Sequence, residues 1–154
     1  MPRLMLTAAL AAAFAFGVAS PRANAAPGDA CSLLTPAQIK SAVGTDVGAG
    51  AAGSPKLCQW NASLAPTSTV KFVTLLLYSD TNGFGPGKNI PAPAVVTPVS
   101  GIGDDAYFLA VKDQVGLIVK KGSGAFKITV YAKLPVDQKE SVEKALATQI
   151  VSQL

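Results

Sequence analysis

The stretch Gly101–Ala132 constrains the fold of this chain more than any other. It carries three short apolar runs, Ala106–Val111, Val115–Val119 and Ala125–Ala132, rich in β-branched and aromatic residues. Two tight breaks, Lys112-Asp113-Gln114 and Gly122-Ser123-Gly124, separate them. Apolar runs of this length with polar or glycine-rich punctuation form a three-stranded antiparallel meander. The third run alternates most cleanly. Phe126, Ile128, Val130 and Ala132 point one way, and Lys127, Thr129, Tyr131 and Lys133 the other. Such a strand buries one face and wets the other.

A meander needs elements to cover its apolar face, and two helices are written into the sequence. Thr35-Pro36-Ala37-Gln38 carries an N-cap, a proline at the first helical position and the third-residue glutamine of a capping box. Leu34 and Ile39 are spaced to staple that end, and Gly44 supplies the left-handed stop. After Leu134-Pro135, Asp137 and Glu140 have capping-box spacing for a closing helix. Its stripe is Val142, Leu146 and Ile150, with Ala145 and Leu154 beside them.

Two further strands are legible. Leu57–Asn61 alternates Cys58 and Trp60 with polar neighbours, and Trp60 reads as a core filler rather than a ligand platform. Thr69–Tyr78 is apolar on both faces toward its end, the mark of a central strand. Asp46–Lys56, rich in glycine and alanine, reads as a loop. Ser79–Ser100, broken by Pro86, Pro91, Pro93 and Pro98, reads as a long one. A loop of about 20 residues in a compact domain is either functional or a mobile insertion. Phe84 and Lys88 are the residues in it best suited to touch a ligand or partner. The expected fold is α+β: a single antiparallel sheet of about four to six strands, packed by a short N-terminal and a long C-terminal helix.

The compartment follows from the first 25 residues. Arg3, the apolar run Leu4–Val18 and the small-residue pattern Ala23-Asn24-Ala25 form an export leader, with cleavage between Ala25 and Ala26. The run of about 15 residues falls short of the roughly 20 that span a bilayer. The reading is therefore a leader over 1–25 and one domain over 26–154, secreted or periplasmic, with no transmembrane segment after cleavage. A lipid-modified cysteine needs small apolar residues before it, and Asp29 precedes Cys31 too closely. Cys31 and Cys58 are the two cysteines of the chain, and export favours their oxidation to a disulfide. Closing that loop stabilises the fold by roughly 3–4 kcal/mol in the chain-entropy account.

Composition narrows the function classes. The chain has no histidine, which excludes the usual nucleophilic triads. Of 13 basic residues, Arg3 and Arg22 leave with the leader. Eleven lysines then face nine acidic residues, for a net charge of +2 and no arginine. Scattered lysines without arginine do not make a nucleic-acid surface. Ser68-Thr69-Val70-Lys71 matches the Ser-x-x-Lys pattern, but on a strand residues three apart point to opposite faces. Gly83–Lys88 lacks the spacing of a phosphate loop. Asp104-Asp105 is an adjacent carboxylate pair whose side chains diverge on entering a strand, so it reads as a turn. Asn61-Ala62-Ser63 has the form of a glycosylation acceptor, a pattern common by chance.

Cys31-Ser32-Leu33-Leu34-Thr35, Cys58-Gln59-Trp60, and Gly101-Ile102-Gly103-Asp104-Asp105-Ala106 ahead of a hairpin resemble a family of small exported bacterial proteins of unknown function. Many members resemble lipoproteins, and this chain departs from them in lacking the lipid-attachment pattern. The resemblance implies a compact sheet-and-helix domain and supplies no catalytic residues. Together these readings lead to the expectation of a monomeric, non-catalytic binding module of the envelope, with no cofactor and no metal. It would hold an envelope protein, a peptidoglycan fragment or an apolar ligand. A small unconventional hydrolase and a structural envelope-stability factor are the rivals.

Overall fold

A computed structural model describes residues 28–62 and 71–154. The expected leader over 1–25, its expected cut between Ala25 and Ala26, and the Ser63 and Ser68 of two motifs lie outside the described residues. Among the described residues seven antiparallel strands form one sheet: β1 (Ala51–Ser54), β2 (Leu57–Asn61), β3 (Lys71–Tyr78), β4 (Val95–Val99), β5 (Asp105–Val111), β6 (Gln114–Lys121) and β7 (Gly124–Val130). Their order across the sheet is β1-β2-β3-β7-β6-β5-β4. After β3 the chain crosses to the far edge and returns by the expected meander, so that β7 closes against β3.

The strand count exceeds the expected four to six. Both additional strands are edges whose residues hide the signal. β1 is Ala-Ala-Gly-Ser, exposed throughout and without apolar alternation. β4 contains Pro98, which an edge strand tolerates because one row of its backbone groups meets no neighbour. The Ser79–Ser100 loop is accordingly shorter than the sequence suggests. It is tightened by 3₁₀ turns at Thr81–Gly83 and Pro86–Asn89.

Helices α1 (Pro36–Val43) and α2 (Val136–Val151) cover one face of the sheet. α1 carries the expected capping box. Thr35 Oγ1 accepts from the Gln38 N–H at 3.3 Å, Gln38 Oε1 accepts from the Thr35 N–H at 2.8 Å, and Gly44 stops the helix at φ 79°. At α2 the expected cap is corrected. The helix starts at Val136 after Pro135, and Asp137 lies in the first turn, where it meets the positive end of the dipole but caps nothing. Its buried face is Lys139, Glu143, Leu146, Ala147 and Ile150. Ala145 is exposed, because the helix is rotated to place Glu143 inward, and Leu154 lies exposed beyond the helix end.

The main core lies between this layer and the sheet. Leu34, Ile39, Trp60, Leu75, Phe108, Leu117, Phe126, Ile128, Leu146 and Ile150 are its large members, all essentially inaccessible to water. Cys31 and Cys58 are joined, with Cα atoms 5.0 Å apart. The disulfide ties the 3₁₀ turn Ala30–Ser32 to β2 beside Trp60. Among the described residues no helix is long and apolar enough to cross a membrane.

Candidate functional site

The face of the sheet away from the helices is divided in two. At one end the segment 79–94 folds down onto it and builds a small second core from Phe84, Tyr107, Ile118 and Ala125. Phe84 meets Tyr107 edge to face, with centroids 5.1 Å apart and planes at 67°. The Tyr107 hydroxyl donates to the Phe84 carbonyl at 2.7 Å. Gly87 makes this approach possible: a Cβ there would lie 1.9 Å from the Tyr107 hydroxyl oxygen. Lys88 sits 4.8 Å above the Phe84 ring and pairs with Asp105 at 2.5 Å. Burial, with lesser contributions from Tyr78 and Asp105, pushes the Tyr107 phenol up to about 12. Phe84 is 6% exposed. The two loop residues singled out in the sequence are thus engaged with the chain's own sheet.

At the other end the sheet face is open. Two shallow hollows of about 190 and 170 Å³ meet there, and Lys127, Thr129 and Tyr131 line both.

A third hollow, of about 440 Å³, lies at the end of the sheet where β3, the β6–β7 turn and Asp104 converge. Asp104 and Asp105 part company here, as adjacent residues entering a strand must. Asp105 turns to Lys88, whereas Asp104 crosses to the β6–β7 turn. There its Oδ2 accepts from the Gly122 N–H at 2.6 Å and its Oδ1 lies 3.5 Å from Lys121 Nζ. The Gly122 N–H, together with the neighbouring Lys121 and Lys120, holds this carboxyl below its ordinary range. Gly103 is required behind it: φ is 64°, and a Cβ would come 2.4 Å from the Lys120 carbonyl. Ser79, Ser123 and Tyr78 complete the polar and aromatic lining, with Leu77, Ala125 and Leu154 as apolar wall. Lys56 Nζ donates to Ser79 Oγ, which fixes that oxygen as an acceptor and frees its own hydrogen.

The sequence reads Asp104-Asp105 as a turn and does not give the partners of Asp104. They lie 17 and 18 residues later, and the register that brings them opposite (Asp105 against Lys120) follows from the meander. Ser79, Ser123 and Tyr107 had no local signal at all. Glu143, the acid moved furthest from its ordinary range, is likewise invisible in the sequence. It is fully buried beneath α2, and its Oε1 accepts from the Val130 N–H at 2.8 Å. Burial drives its carboxyl up to about 8, opposed by the backbone N–H groups of Val130 and Leu117. It does not border the 440 Å³ hollow. Among the described residues no cluster of side chains has the makings of a metal site.

With this geometry in hand, the molecule reads as a helix-backed antiparallel sheet with a polar hollow at one end. Comparison with family models, curated proteins and solved structures gives no match to the chain.

Proposed function

We propose that this is a non-catalytic binding module of the cell envelope or its exterior, and that the hollow beside the β6–β7 turn is where it holds its ligand. One observation carries the reading. The carboxylate in the hollow, Asp104, is fixed by Gly122 and Lys121 as a hydrogen-bond acceptor and held below its ordinary range. A general acid or base works best when poised near the operating pH, and Asp104 is displaced away from it. The acid displaced toward neutral pH, Glu143, is sealed in the core, out of reach of any substrate. A fixed acceptor beside free hydroxyls suits recognition. The leader at residues 1–25, the Cys31–Cys58 disulfide and the resemblance to exported proteins support the compartment.

The test is a panel of chemically diverse small molecules, followed by amide chemical shifts of labelled protein, alongside chromogenic ester, amide, glycoside and phosphate substrates. Saturable shifts clustering at Ser79, Gly122, Ser123 and Gly124, with every compound recovered unchanged, are the expected result. Turnover of any substrate that disappears in Asp104→Asn would replace this reading with the hydrolase.

A further inference from the structure

Resting on that binding reading, we infer that the ligand class of the 440 Å³ hollow is a neutral saccharide. Its volume falls in the range of small-ligand pockets, roughly 300–1,000 Å³. Two lining residues carry opposite charges: Asp104 Oδ1 and Lys121 Nζ stand 3.5 Å apart, one an obligate acceptor and the other an obligate donor, while the Lys56 ammonium is bonded to Ser79 at the rim. A ligand of either net charge is drawn by one of them and repelled by the other. A hydroxyl suits both, since it donates to the carboxylate and accepts from the ammonium, and its bonds to ionised partners are the strong ones. The 3.5 Å separation is long for a charge-assisted bond, so the pair is loosely held and a ligand hydroxyl can bridge its two atoms from the open side.

The remaining wall repeats this logic. Asp104 Oδ2 is committed to Gly122, which fixes the carboxylate plane and leaves Oδ1 to the hollow. Ser79, with its oxygen accepting from Lys56, has its hydrogen available to a ligand oxygen. Ser123, on the opposite side at the turn, is exposed and can take either role. Tyr78, Leu77 and Ala125 give the apolar patches that the C–H face of a pyranose ring covers. Alternating hydroxyl and C–H surface is the property that separates a sugar from the lipids and ions that a one-sided pocket would take.

The test is an amide-shift titration of the full mature chain with two neutral disaccharides, N,N′-diacetylchitobiose and cellobiose, and with glucuronate and glucosamine as charged controls. Saturable shifts at Ser79, Gly122, Ser123 and Gly124 with at least one disaccharide are expected, and at least tenfold weaker binding by the charged controls. The double variant Ser79→Ala, Ser123→Ala should weaken disaccharide binding at least tenfold while keeping the wild-type melting temperature. The inference falls if neither disaccharide gives a saturable shift, or if the double variant binds as well as wild type. If apolar or ionic compounds shift these amides and the disaccharides do not, the saccharide assignment is lost and the binding reading survives. If nothing shifts them, both are lost.

Discussion

Glu143 offers the sharpest test of how this sheet is held together. β6 and β7 pair from Lys121 and Gly124 as far as Leu117 and Ile128, and there their ladder stops. The next β7 donor on that side, the Val130 N–H, is taken by Glu143 Oε1 from the helix layer. Its Oε2 is buried without a partner among the described residues. Around it, Lys127 on β7 favours the charged form and Glu140 on α2 opposes it, both weaker than burial. Lys139, on the same helix face, is turned away and donates to the Asp113 carbonyl.

The consequence for stability follows from linkage. The folded state holds the Glu143 proton up to about pH 8, whereas a carboxyl at its ordinary value of 4.5 releases it in the unfolded chain. A raised folded value means the contribution is complete below about pH 4.5 and is lost as the pH climbs to 8. The slope is about 1.4 kcal/mol per pH unit, so the whole interval is worth on the order of 5 kcal/mol. Glu143→Gln keeps an oxygen for the Val130 N–H but does not titrate. Urea unfolding of both proteins from pH 4 to 9 isolates this group, because every other titration is common to the pair. The stability of the glutamine variant relative to wild type should rise with pH over that interval by several kcal/mol and level off above pH 8. A difference constant to within about 0.5 kcal/mol, below the usual effect of a buried group, would refute the assignment of a neutral buried acid.

Three further outcomes test the remaining parts of the fold. Tyr107→Phe removes the bond to the Phe84 carbonyl and should cost about 1–3 kcal/mol, with faster amide exchange confined to residues 79–94. Gly87→Ala should destabilise by about 1–3 kcal/mol because its Cβ collides with the Tyr107 hydroxyl. Gly85→Ala, two residues away with nothing within 4 Å, should leave thermal unfolding nearly unchanged. Replacing Cys31 and Cys58 together with alanine should lower urea stability by roughly 3–4 kcal/mol, and reducing agent should have no effect on that variant.

What could be read in the sequence, and what could not, divides along a physical line. Local devices are encoded within a few residues and were legible: the Thr35–Gln38 box, the left-handed Gly44, the alternation of Phe126, Ile128 and Val130. Edge strands were not, because β1 and β4 bury little and need no periodic pattern to do so. Partners across the sheet were not either. Asp104 and Gly122, or Glu143 and Val130, are brought together by register and by the rotation of α2, neither of which a window of neighbours contains. A glutamate in the apolar stripe of a helix looks like a solvated residue until the unpaired N–H it satisfies is known.

The segment 79–94 packs onto the chain's own sheet. Its length and its Phe84 and Lys88 suggest a surface arm reaching for a ligand. In the fold its aromatic ring and its ammonium are turned onto Tyr107 and Asp105. The arm also presses on Tyr78, where a Cβ at Gly83 would lie 2.4 Å from the ring, and Tyr78 is part of the wall of the 440 Å³ hollow. Asp105, which anchors Lys88, directly follows Asp104, the acceptor in that hollow. The segment therefore lies behind the hollow, against one aromatic wall and one backbone junction. If the hollow holds a ligand as proposed, loosening the segment should weaken binding there without removing any group that lines the hollow. Substituting Lys88 should accordingly alter affinity far less than substituting Ser79 and Ser123, the reverse of what an arm that grasped the ligand directly would require.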